Sequence, residues 1–281
     1  MSVNNILSFC LAVQCLLPYQ MVVEPVCMYL YITLTDKNIR QIVFSVSASP
    51  SVLFGFLPYL DTSKITDMSG LFARRESNVD ISAWDVSSVR NMERMFACNR
   101  VFNQPIGKWN VQSVETVEGM FKRATAFNQP LASWRFRRLV NIRNVFQLAI
   151  SFNGSVNDWD ISQVTSLDGV FWQALKFNQP IGKWNTSNVT TMCRTFMHAH
   201  AFNQPIGVWN VSKVKEMKYA FSSAEEFNQS VENWDVSSVR EMHFMFCSAV
   251  KFQQSTEKWN LPKDRVQEQH VFHALANHCS K

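Results

Sequence analysis

The residues with chemistry to offer are few and scattered. Six histidines occur, among them the pairs His198/His200 and His270/His273, with His278 beside Cys279 near the chain end. His198 and His200 lie two apart on a stretch that reads as helix, so they are expected to point to different faces. His270 and His273 fit one face, which with His278 and Cys279 makes only a weak ligand set. Asp and Glu are distributed by position and are not gathered as an acid/base pair. No G-x-S-x-G, H-E-x-x-H, phosphate loop or G-x-G-x-x-G occurs, and there are only 8 glycines in all. Cys10, Cys15, Cys27, Cys98, Cys193, Cys247 and Cys279 follow no C-x-x-C spacing, so neither a zinc knuckle nor a disulfide framework is implied. Cys98, Cys193 and Cys247 sit on or beside an apolar stripe and read as buried thiols. The expectation is a protein without catalysis, without a metal and without a cofactor.

The order in this chain is of another kind. Trp84, Trp109, Trp134, Trp159, Trp184, Trp209, Trp234 and Trp259 recur every 25 residues, and Trp172 alone stands outside the series. Phe102, Phe127, Phe152, Phe177, Phe202, Phe227 and Phe252 precede them by seven residues, and Phe96, Phe121, Phe146, Phe171, Phe196, Phe221 and Phe246 complete a third column. A fixed period of this length marks a solenoid, in which one supersecondary unit stacks on copies of itself. The unit reads F-N-Q-P-I-G-K-W-N-V-S-x-V-x-x-M-x-x-M-F-x-x-A-x-x. Leu60 stands where a tryptophan would be, so 61–72 reads as a worn first rung.

Within a rung, Val114, Val117, Met120, Phe121 and Ala124 share one helical face. Ser87, Ser162, Ser187, Ser212 and Ser237 precede that face at a helix-capping distance. Pro105 and Gly107 exclude a helix from the other half, where Trp109 and Val111 alternate with Lys108 and Asn110 as in a very short strand. The expected fold is therefore an α/β repeat solenoid, a leucine-rich-repeat-like arc with one short strand and one short helix per rung. Strands space at ~4.8 Å and packed helices at ~8–10 Å, which would put the strands on the concave side. Asn78, Asn103, Asn128, Asn153, Asn178, Asn203 and Asn228 form a register of amides, expected to be a buried structural ladder. Asp85, Asn110, Asp160, Asn185, Asn210 and Asp235 form a second column, read as turn-bonding groups and not as calcium ligands.

The unit resembles the BspA-like leucine-rich-repeat surface protein family over roughly residues 36–260. Residues 35–46 resemble the helix that precedes the first rung, with Ile39, Ile42, Val43 and Val46 as its stripe. The stretch 61–72 is similar to the D-T-S-x-V-T-D-M-S-x-L-F opening of such arrays. The resemblance implies surface exposure, adhesion or protein binding, and no catalytic activity. Rung 127–151 departs from it with Arg135, Phe136 and Arg137, and rung 152–176 with Gly154 and Ser155.

The chain thus divides into an apolar segment 1–34, a cap helix and loop 35–60, an array of about eight repeats 61–260 and a C-terminal capping segment 261–281. Segment 1–34 has no Lys or Arg and carries a twelve-residue mostly apolar run, Ile6 to Leu17. It reads as a signal, an anchor or a packed extension, and it is the only expected route to a membrane. Secretion or cell-surface display is expected, with a cytoplasmic scaffold as the alternative. The net charge of +5 is mild and does not call for nucleic acid. A protein or surface-glycan partner is expected to meet the varied positions just before each tryptophan: Lys108, Ser133, Asp158, Lys183, Asn233 and Lys258. Arg135, Arg137 and Arg138 add the densest basic patch. The alternative is a spacer whose array only sets length.

Overall fold

The computed structural model describes residues 34–48, 57–259 and 271. Segment 1–34, read as a signal, an anchor or a packed extension, lies outside the described residues except for the buried Leu34, and the His270/His273 pair lies outside them too. Helix α1 spans Asp36–Ala48 and carries Ile39 and Val43 into the core. Its start is set by Thr35, whose hydroxyl accepts from the Asn38 amide while Asn38 Oδ1 accepts from the Thr35 amide.

After α1 the rungs lie side by side, in register at 25 residues. Indoles stack on indoles, as in Trp109–Trp134 at 6.4 Å and 6°. Phenylalanines six residues apart, across the junction of consecutive units, stack face to face, Phe96 on Phe102 at 3.8 Å and Phe121 on Phe127 at 3.9 Å. Each parallel ring pair adds on the order of 1 kcal/mol beyond the area it buries. All eight periodic tryptophans are buried, so one continuous apolar spine runs through the array.

The helix and strand expected in every rung are absent. Among the described residues α1 is the sole α-helix, three short 3-10 turns occur, and no strand forms. Six isolated parallel bridges, such as Asn91 with Thr116, are the only β pairing. The segment read as helix is a chain of overlapping three-residue turns: Met120, Lys122 and Ala124 donate their amides to the carbonyls of Val117, Gly119 and Phe121. The intervening amides of Val117, Gly119, Phe121 and Arg123 instead reach the next rung, at Asn141, Arg143, Val145 and Gln147. An α-helix would use all of these amides four residues back within its own segment. Here half of them bond along the array.

Left-handed residues make this path possible. Gly119 (φ 58°) and Arg123 (φ 59°) repeat in every described rung, for example as Arg194 (56°) and His198 (56°). The second of these positions is never glycine, although a side chain there costs roughly 1–2 kcal/mol. Inter-rung bonding outweighs that strain.

The expected arc loses its cause with the helices. The three aromatic columns advance by similar steps, 5.2–5.7 Å for Phe96-type rings, 5.8–6.1 Å for Phe102-type rings and 5.9–6.4 Å for tryptophans. No thick helical side exists to force the other side into a concave strand face.

Candidate functional site: exposed columns on a self-bonded frame

The frame consumes its own polar groups. Each periodic indole N–H donates to a carbonyl of the preceding rung: Trp134 Nε1 to Ile106 at 3.1 Å, and Trp209 Nε1 to Ile181 at 3.1 Å. Ile106 also accepts the Trp109 amide at 3.1 Å, so one carbonyl locks two rungs. For Trp84 the acceptor is Leu57, three residues before Leu60, which places Leu60 in the tryptophan position.

The asparagine register works in the same direction. Oδ1 of Asn78, Asn103, Asn128, Asn153, Asn178 and Asn203 accepts the amide of the next Asn at 2.8–3.0 Å, and Asn228 accepts that of Gln253. Gln129 and Gln204 add side-chain bonds to Asn103 and Asn178. The ladder lies at the surface, half-buried to exposed, and not in the interior as expected. The residue after each tryptophan bends its own backbone: Asp85 Oδ1 accepts from Ser87, Asn185 from Ser187 and Asn210 from Ser212. The serines read as helix caps are therefore donors to these side chains.

The positions before the tryptophans are all exposed, Val208 at 81%. Several are tied to neighbours. Ser133 Oγ donates to Gly107, Arg135 pairs with Asp158 at 3.1 Å, and Lys258 pairs with Glu232 and bonds Asn233. Lys108, Lys183, Arg137 and Arg138 have no such partner among the described residues.

A second exposed group was not among the expected contacts. Trp172, the off-period tryptophan, lies beside the Arg194 guanidinium, which sits 5.6 Å from its ring and 5.5 Å from that of Tyr219. Tyr219 stacks on Phe244 at 5.3 Å. The broken period of Trp172 was the available signal; its partners come from two further rungs and carry no motif.

Burial raises the Cys193 pKa, which keeps the thiol protonated. Cys98 and Cys193 are free but only half-buried, and Cys247 is disulfide-bonded, so the reading of three buried thiols is corrected. His198 and His200 come within 6.1 Å because the chain turns left between them; burial and then His200 lower the His198 pKa. Among the described residues no three His, Cys, Asp or Glu side chains gather to hold a metal. No described helix is long and apolar enough to cross a membrane.

Stacked rungs in register, bonded by columns, define a repeat protein. The chain belongs to the family described as Mycoplasma protein of unknown function, DUF285, whose model matches three times, over residues 54–155, 133–212 and 181–279. The last match runs past the expected array end at 260, and Phe246 donates its amide to Val271, so repeat-type bonding also continues there. Among curated proteins, none matches the chain.

Proposed function

We propose that this chain is a non-enzymatic recognition module, a BspA-like, leucine-rich-repeat-like solenoid displayed at a cell or particle surface for adhesion or protein binding. The observation that carries this reading is the column before the tryptophans. Eight successive rungs keep a buried indole and vary the exposed residue beside it, from Ala83 and Lys108 through Asp158 and Val208 to Lys258. The frame does not use Lys108, Lys183, Arg137 or Arg138, which leaves their charge for an outside partner.

Charge reversal tests it. Arg137→Glu with Arg138→Glu, and separately Lys108→Glu with Lys183→Glu, should weaken adhesion of the purified chain to the cells that display or receive it, without moving the thermal midpoint. Unchanged adhesion in both variants would remove the support.

A spacer role draws on a different observation, the bonds that run along the array in every column. A spacer predicts that removing a rung alters function while charge reversal does not.

A further inference from the structure

We propose that the ladder of Trp172, Arg194, Tyr219 and Phe244 is a docking site for a carboxylate side chain, set among apolar residues, on a partner protein. This surface is separate from the column before the tryptophans and stands or falls independently of it.

Four observations carry the proposal. First, the Trp172 indole stands outside the aromatic columns of the frame, although its backbone bonds Gly169 and Leu148. The eight periodic indoles each donate to a carbonyl of the preceding rung, whereas the Trp172 N–H, itself buried within the half-buried residue, has no acceptor. Second, the Arg194 guanidinium is exposed and forms neither ion pair nor hydrogen bond among the described residues; two rings, at 5.6 and 5.5 Å, hold it. A guanidinium gripped by rings keeps its N–H donors free and loses little freedom when it binds.

Third, several cations of these and adjoining rungs already have acidic partners. Lys218 pairs with Glu241, Arg143 with Asp168, and His200 faces Glu225. Arg194 has no such partner among the described residues, and an anion is its complement. Fourth, Trp, Arg and Tyr are the residue types that dominate interface energetics, and Met197 and Phe244 flank them half-exposed.

Ring geometry selects protein over sugar. Carbohydrate binds open aromatic faces, but Tyr219 lies between Arg194 and Phe244, and Arg194 covers Trp172. The half-exposed ring surfaces suit aliphatic or aromatic side chains around a central carboxylate.

The test uses the full chain and two labelled peptides followed by fluorescence polarisation. One peptide carries Glu flanked by Leu and Phe; the other replaces Glu by Gln. The Glu peptide should bind, and the Gln peptide should bind at least tenfold more weakly. Arg194→Gln should abolish the difference between them, and Arg194→Lys should restore only part of it, because an ammonium is not held flat between rings. Trp172→Ala should weaken the Glu peptide severalfold. Arg194→Gln should lower the thermal midpoint only slightly, because the exposed guanidinium forms no ion pair or hydrogen bond and loses only its ring contacts. Equal binding of both peptides, no binding of the Glu peptide at millimolar concentration, or wild-type binding by both Arg194 variants would each overturn the proposal. Tighter capture of a sialylated oligosaccharide than of the Glu peptide would overturn it in favour of glycan.

Discussion

Asp36 stands to Thr66 as Thr66 stands to Arg90. The Thr66 carbonyl accepts the amides of Arg90 at 2.8 Å and Asn91 at 3.3 Å, and Arg90 repeats this for Glu115 and Thr116. The first rung has no rung before it. There, Asp36 Oδ1 accepts the amides of Thr66 at 2.8 Å and Asp67 at 3.1 Å, and Oδ2 accepts the Thr66 hydroxyl. A side-chain carboxylate on α1 thus substitutes for a missing carbonyl, and Arg40 of the same helix braces Asp67 at 3.0 Å.

Asp36→Ala should therefore open the first rung at a cost of about 1–2 kcal/mol, comparable to loss of a helix cap. Amide exchange at Thr66 and Asp67 should accelerate before exchange at central rungs does. Equal acceleration throughout would mean that the seal is not local.

The same contact sets a pH dependence. Burial alone would raise the Asp36 pKa, but the bonds from Thr66 and Asp67 and the charge of Arg40 outweigh it and hold the group below its ordinary value. A lowered folded-state pKa adds stability above the unfolded carboxylate pKa of ~3.9, lost as pH falls through the folded value. The stability gap between wild type and Asp36→Ala should then be full at pH 6 and should narrow at an acidic pH below the unfolded carboxylate value. Denaturant midpoints at the two pH values check this.

Arg123→Gly separates the observed turn from the helix suggested by the apolar spacing. In an exposed helix, glycine would cost about 1 kcal/mol. At φ 59° it relieves strain of similar size, so the variant should be neutral or slightly more stable. A clear loss of stability would contradict the left-handed path.

Trp134→Phe keeps a ring in the spine and removes the donor to Ile106. It should cost about 1–2 kcal/mol, while Trp134→Ala should cost about 3–5 kcal/mol through the cavity it leaves. Equal effects of the two variants, measured by urea unfolding, would mean that the indole bond contributes nothing.

Asn128→Asp keeps the Oδ1 acceptor for the Asn153 amide, whereas Asn128→Leu strands that donor. The aspartate variant should remain within about 0.5 kcal/mol of wild type and the leucine variant should lose about 1–2 kcal/mol. Amide exchange at Asn153 provides the local reading.

The sequence made the period, the aromatic spine, the asparagine register and helix α1 legible, because each rests on residue type at fixed spacing. It misled on the shape of the rung. Val114, Val117 and Met120 recur every three residues both on a helix face and along a run of tight turns. What separates the two is the destination of the amides of Gly119 and Phe121, which bond 24 residues onward, beyond any local window. The Arg194 ladder was illegible for the same reason, since its members meet only after four rungs are stacked. Asp36 gave no signal at all, because its role exists only where the array stops.

Because nearly every cross-rung bond joins equivalent positions, copy number is a free parameter of this architecture. Excising one whole period from the middle would reconnect each donor to the same kind of acceptor, and duplicating one would do likewise. The first step is one residue shorter, Phe72 to Phe96 and Asp67 to Asn91, and the rings and bridges still meet, so a single-residue change is absorbed within the rung that carries it.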